Sequence, residues 1–272
     1  MSTESKFPVR RRRRWWPWLL LLLSVCVVTL WTLPATLVYN LMASQLKDVE
    51  AGGLSGSLWK GEASSLLLRG KDWGKLNWTL RPLPLLQGRT EVDLRLDGPG
   101  VKLSGNVIRA ADRAIDLGQT TGTIDAAWMG PALGLPLLVP TGSINLDLQG
   151  LSIDAEGKPT AIQGQARWVD AGLTGIVRAR AGTVLIEASG RDGQIEGLLR
   201  NEGGGNLGID GSFSMLGTLY QAEVMLRPDP NDAELVQALQ WVGQPLDQSG
   251  GRLLLIEGEV HGWANSSANT QD

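Results

Sequence analysis

The chain has 272 residues and a net charge of −3, with one histidine and one cysteine. A lone residue of each type excludes a Cys/His zinc cluster, and the acid excess speaks against a nucleic-acid partner and against a sizeable basic patch for anionic lipid. Thirty-five glycines punctuate short segments rich in Thr, Val, Ile and Leu, which is the pattern of an all-β protein with turn signals every ~8–12 residues.

The first predicted element is a membrane span. Arg10, Arg11, Arg12, Arg13 and Arg14 stop at Trp15-Trp16-Pro17-Trp18, and no charged residue recurs until Lys47. A helix needs about 20 apolar residues to cross a hydrocarbon core of about 30 Å, and residues 15–37 supply them. The arginines keep residues 1–14 cytoplasmic, and Trp15, Trp16 and Trp18 suit one headgroup layer. Pro17 falls in the first turn, where its missing N–H costs nothing. A cleaved signal peptide has an apolar run of only ~7–15 residues and a small-residue cleavage site, which Leu33-Pro34-Ala35 does not supply. Cys26, preceded by Val25, reads as a small apolar residue of the span rather than a lipid anchor. The residues after the arginines do not support a twin-arginine signal, and direct abutment on the span makes topology a better reading than a nucleic-acid arm. Residues 1–14 hold six basic residues against one acid, so the remainder carries about −8. A cysteine-free exported part points to a bacterial periplasm.

Thr36–Leu46 continues as a short helix, which Gly52-Gly53 ends. Strands are predicted at 54–59, 62–69 and 73–80, with Lys60-Gly61 as the first turn. Two prolines interrupt 81–88. Thr90–Leu96 alternates Val92, Leu94 and Leu96 with Glu91, Asp93 and Arg95, a half-buried strand. Asp97–Gly100 turns into a strand at 101–109, and another follows at 119–127. Trp128–Pro140 reads as a packed loop with one helical turn, and as the place for a sub-boundary near 128–140. Further strands are expected at 142–153, with Gly150 at a place for a bulge, then at 161–169, 183–189, 194–200, 207–215, 219–227 and 252–260. Asn231–Val242 is a helix, with Asn231 and Glu234 as a capping box. The domain spans 38–262, and 263–272 is a polar tail.

Chemistry-bearing patterns are few. His261 has no partner spacing for catalysis or metal binding. Asp229–Glu234 lacks the glycine of a calcium loop. Gly203–Gly208 matches G-x-G-x-x-G, but a strand follows it where a dinucleotide site needs a helix. Ser57-Leu-Trp-Lys60 matches S-x-x-K, which works on a helix and here lies in a β context. No cofactor and no enzymatic activity are expected. Leu58 and Trp59 are singled out either as core residues pinning the first strand or as a subunit contact near the membrane.

Leu54-Ser-Gly-Ser-Leu-Trp-Lys-Gly61 and Trp78-Thr-Leu-Arg-Pro-Leu-Pro-Leu-Leu-Gln-Gly88 resemble the opening of the type II secretion system protein N family. Gly142–Leu146, Gly164–Trp168, Gly208–Ser214 and the segment from Tyr220 to Arg252 are similar as well. The resemblance implies an accessory inner-membrane subunit of the machine that moves folded periplasmic proteins across the outer membrane. Its neighbours would be the C, L and M inner-membrane components and the outer-membrane secretin. The expected fold is mainly β: a single N-terminal transmembrane helix, then an extended twisted antiparallel sheet, open or curled on itself, with one helix near the C-terminus. One-sided alternation leaves an apolar face that needs a cover. The alternative is therefore a membrane-anchored lipid-handling protein with an apolar groove.

Overall fold

A computed structural model describes residues 18, 21, 22, 24, 29, 32–42, 49–68, 70–129, 138–175 and 178–259, without the side chains of 38, 41, 42, 129 and 138. Arg10–Arg14, Trp15, Trp16, Cys26, His261 and the expected tail lie outside the described residues. Among the described residues no helix is long and apolar enough to cross a membrane; most of the expected span, 15–37, is outside them.

Helix α1 (Ala35–Met42) precedes β1 (Val49–Gly56), β2 (Lys60–Leu68) and β3 (Lys71–Arg81). The short helix α2 (Pro82–Leu85) leads to β4 (Thr90–Gly98), β5 (Val101–Arg109) and β6 (Ile115–Asp125). A 3-10 turn at Ala126–Met129 follows, then β7 (Leu138–Ile153), β8 (Pro159–Gly175), β9 (Ala179–Arg191) and β10 (Gln194–Gly203). β11 (Leu207–Leu216), β12 (Leu219–Pro228), α3 (Ala233–Leu239), β13 (Gln244–Pro245) and β14 (Arg252–Glu259) complete the described fold. The 14 strands form one antiparallel sheet in sequence order, except that β14 lies between β12 and β13. β1 and β13 are its two edges, so the sheet is open. The expected antiparallel β fold with a helix near the C-terminus is what the chain adopts.

Local chemistry explains the elements. Asp192 and Gly193 both take left-handed backbone angles (φ 56° and 76°), the requirement of a tight turn that matches strand twist, and they join β9 to β10. The ladder shifts register at Leu148/Gly150, where the bulge was expected. Trp128 meets Trp73 edge-on at 4.9 Å and 80°, and Lys71 Nζ sits 3.7 Å from the Trp128 ring, which pins the helical turn after β6 to the start of β3.

Several predicted boundaries move. Gly52-Gly53 does not stop a helix: both lie inside β1, where Gly53 takes φ 62°. Lys60-Gly61 is not the first turn; the turn is Ser57–Trp59, and Lys60 opens β2. Asp232, not Asn231, caps α3: its carboxylate accepts from the Leu235 N–H at 3.0 Å. Glu234 is therefore not at the reciprocal position of a capping box. Asn231 instead donates to Asp229 Oδ1.

The buried core is small. α3 lays Leu235 and Leu239 against Ala179 of β9 and Leu207 of β11, with Leu173, Ile209, Leu226 and Val242 around them. A second cluster holds Ala171, Ala181 and Val184, flanked by Trp168, Ile186 and Ile209. No polar or charged side chain is buried among the described residues.

Candidate interaction surface

Strand register assigns the two faces, because directly opposed residues in an antiparallel pair share a face. One row runs Leu54–Ala63–Leu76–Leu96–Leu103–Gly122–Leu146. It continues Ala166–Ile186–Leu199–Gly211–Val224–Leu254. Every member is apolar, from β1 to β14. Apart from the buried Ala63, all are only half-buried, so a single sheet layer does not cover this face. α3 covers one corner of it, since Ile209 and Leu226 lie two residues from Gly211 and Val224 on the same side.

The neighbouring row is Ser55–Glu62–Asn77–Arg95–Ser104–Thr121–Asp147. It goes on through Gln165, Glu187, Leu198, Ser212 and Glu223. This polar face is laced with ion pairs between strands: Lys75–Glu62 at 2.7 Å, Arg81–Asp93 at 3.1 Å, and Arg200–Glu187. The Lys75 ammonium, by hydrogen bond and charge, holds the Glu62 carboxyl below the usual carboxylate range. Exposed pairs of this kind are screened by solvent and add little to stability, so they tune the surface rather than hold the fold. A groove of about 770 Å³ lies on this face across β7–β12, lined by Gln163, Gln165, Glu187, Glu196, Ser212 and Glu223 among others.

The two ends of the sheet differ in what reaches them. The β1–β2 turn, α2 and the β11–β12 turn share one end. Leu33 and Pro34 are fixed there: Pro34 bridges Ser57, and Leu58 N–H donates to Leu33 O at 2.9 Å. From that point α1 runs back along β1. The Tyr39 hydroxyl donates to Val49 O at 3.2 Å and accepts from Ala51 N–H at 3.1 Å, filling a slot on the open edge of β1.

Leu58 and Trp59 sit in this turn and are half-buried. Their main chain ties elements together: Leu58 O accepts from Trp78 Nε1 at 3.2 Å, and Trp59 O accepts from Leu80 N–H at 2.7 Å. Trp18, with Leu21 and Leu22, is exposed. The S-x-x-K serine meets main chain, not the lysine ammonium, since Ser57 Oγ bonds to Lys60 N and O. Gly203–Gly208 links β10 to β11 as a hairpin turn. Asp229 and Asp232 serve turn and cap. Among the described residues no group of three His, Cys, Asp or Glu could hold a metal ion. Sequence reasoning missed α2, whose Leu83 and Leu86 are 73% and 85% exposed.

Comparison with known families decides where this meander belongs. The model of the type II secretion system protein N family matches residues 47–253. The chain belongs to that family. The match opens at the approach to β1 and closes inside β14, so it takes in the sheet and α3. The type II secretion system protein N of Vibrio cholerae serotype O1 is 26% identical over 210 residues, covering 73% of this chain and 81% of that protein. No solved structure matches. As a family member the chain is a component of the type II secretion machinery, and other subunits of that machinery are its partners.

Proposed function

We propose that this chain is a non-catalytic accessory subunit in the inner-membrane part of the type II secretion system, acting in its assembly or stabilisation. In this reading residues 15–37 cross the inner membrane, residues 1–14 stay cytoplasmic, and 38–262 form the periplasmic domain. The family match over 47–253 carries the reading. Support for the anchor comes from the uncharged run after Arg14 and from Trp18, Leu21 and Leu22, helical residues with exposed apolar side chains. The C, L and M components and the secretin are the proposed contacts.

Deleting the gene and comparing secreted with periplasmic enzyme pools tests the role: folded enzymes retained in the periplasm are expected. A reporter fused after Glu259 should be active only in the periplasm, and converting Arg10–Arg14 to acidic residues should weaken or invert the orientation. A reporter active only in the cytoplasm would overturn the anchor.

A lipid-handling role is the second reading, favoured by the half-buried apolar row from β1 to β14. The groove on the opposite, polar face weighs toward a protein contact instead. Lipid co-purifying in fixed stoichiometry, detected by mass spectrometry, would reverse that balance.

A further inference from the structure

We propose that α2 and the loop after it dip into the outer leaflet of the same membrane that anchors the chain, so that the β1–β4 end of the sheet stands on the bilayer surface. This rests on the anchor reading and adds a surface contact to it.

The geometry is set by two fixed points. Leu33 and Pro34, in the last turn of the proposed span, are held to the β1–β2 turn by the Pro34–Ser57 bridge and the Leu58 N–H to Leu33 O bond. A chain whose span ends at about residues 33–37 therefore delivers this turn to the headgroup layer, with no free linker between. α2 joins β3 to β4 at the same end of the sheet, three strand spacings from α1's side of β1, on the order of 15 Å.

What α2 offers there is apolar. Leu83, Leu85 and Leu86 are 73%, 37% and 85% exposed, while Pro82 and Pro84, which precede Leu83 and Leu85, are half-buried. The bracket is closed by its own main chain: Leu86 N–H bonds to Leu83 O, Gln87 N–H and Arg89 N–H to Pro84 O, and Gly88 N–H to Leu85 O. Leu83 and Leu86 are thus presented outward by a tied loop, with most of their surface uncovered. Apolar side chains at an interface sink about 5–10 Å into the headgroup and acyl boundary. Arg89 follows the leucines, exposed and with no ion pair among the described residues, and its length lets the charge stay at phosphate level while the stem lies along hydrocarbon.

Position, not exposure alone, makes the argument. Trp241 is 90% exposed but follows α3 at the opposite end of the sheet, and it serves as the control. The experiment uses the full chain, with Cys26→Ser removing the native thiol, reconstituted in phosphatidylethanolamine–phosphatidylglycerol vesicles. Single cysteines, Leu83→Cys, Leu86→Cys and Trp241→Cys, carry an environment-sensitive fluorophore, and quenching by acyl-brominated phospholipid is read alongside resistance to carbonate extraction. Expected is a chain retained by carbonate, with emission from 83 and 86 blue-shifted and quenched at least about twofold more than from 241. A retained chain with 83 and 86 as aqueous as 241 overturns the rim contact alone. A chain released by carbonate whose 83 and 86 labels were quenched beforehand supports the contact and overturns the anchor. Release with all three positions aqueous overturns both.

Discussion

Truncating Leu235 to alanine should loosen one corner of the sheet and leave the far strands untouched. Leu235 is 1% exposed and meets Ala179, Leu207 and Leu239. Buried Leu→Ala changes cost about 2–5 kcal/mol, depending on how far the walls collapse. Here the floor is the main chain of β9 and β11, which cannot move without breaking ladder bonds. The roof is α3, which spans only seven residues and can settle. The surrounding Leu173, Ile209, Leu226 and Val242 are only half-buried, so the space left behind is partly open. These two features place the expected loss in the lower half of the range, about 2–3 kcal/mol. Two turns of helix do not persist alone in water, so α3 should detach before the sheet melts. Because each strand contacts its sequence neighbours, as in a repeat protein, coupling across the sheet decays with distance. Native-state amide exchange on the detergent-solubilised full chain is the assay. Protection should fall in α3 and the adjoining ends of β9, β11 and β12, and stay at the wild-type level in β2–β5. Trp241→Ala, at an exposed position, should change stability by no more than about 0.5 kcal/mol. Equal losses in the two variants would refute the packing argument, and a uniform loss reaching β2–β5 would refute the neighbour coupling.

Tyr39→Phe removes the hydroxyl that bridges Val49 and Ala51; it should cost about 0.5–1.5 kcal/mol and speed exchange of the Ala51 amide. Gly197→Val puts a side chain where the Phe213 ring lies over Gly197, and overpacking of this kind should cost about 1–3 kcal/mol, read as a lower urea midpoint. The Asp232 carboxyl is held below its ordinary range, first by the Leu235 N–H and then by Asn206. Its contribution is therefore complete above the unfolded value and is lost as pH falls through the folded one. Asp232→Asn, which can still cap, should flatten the fall in melting temperature below about pH 4, and an unchanged acid limb would reject the assignment. Trp59 is half-buried, so Trp59→Ala should cost about 1–2 kcal/mol, less than full burial of a large side chain is worth. An unchanged melting temperature with loss of co-purifying secretion subunits would place Trp59 at an interface instead.

How legible this architecture is in the sequence depends on which face a segment shows. Val101–Arg109 is readable to the residue because the Asp97–Gly100 turn marks its start, and the bulge at Gly150 is readable because a glycine interrupts an alternating strand. β1 hides behind Gly52-Gly53, which look like a helix stop but sit in an edge strand, where glycine at φ 62° fits. The cap shifts by one residue because Asn231 and Asp232 are equally good cap types. Only the tertiary contact with Asn206, whose Nδ2 donates to Asp232 Oδ2 at 2.6 Å, selects between them. β13 has two residues and no pattern to read. The polar groove is invisible for a different reason: Gln163, Glu196 and Glu223 each look like the solvent side of an ordinary strand, and only the register brings them together. α2 was masked by its prolines, which correctly forbid a strand there and say nothing of where Leu83 and Leu86 point.

A sheet built by adding each strand to its predecessor has no internal reason to stop, and its edges are open to further pairing. The chain places a helix near each end. At β1 the first helix folds back along the edge, and Tyr39 occupies its hydrogen-bonding slot. At the other end α3 and β13 are inserted between β12 and β14, the one departure from strict sequence order, and they bring Leu235 and Leu239 over the apolar face. Repeat proteins need such terminal caps because end units cannot bury their own faces. The two caps differ in one respect that matters for a secretion subunit. In the proposed topology the cap at β1 is continuous with Leu33 and Pro34, in the last turn of the span, so the element that terminates the sheet would also orient it on the membrane. A change that breaks the Pro34–Ser57 bridge would then have two consequences at once: a frayed first strand and a domain free to swing away from the bilayer.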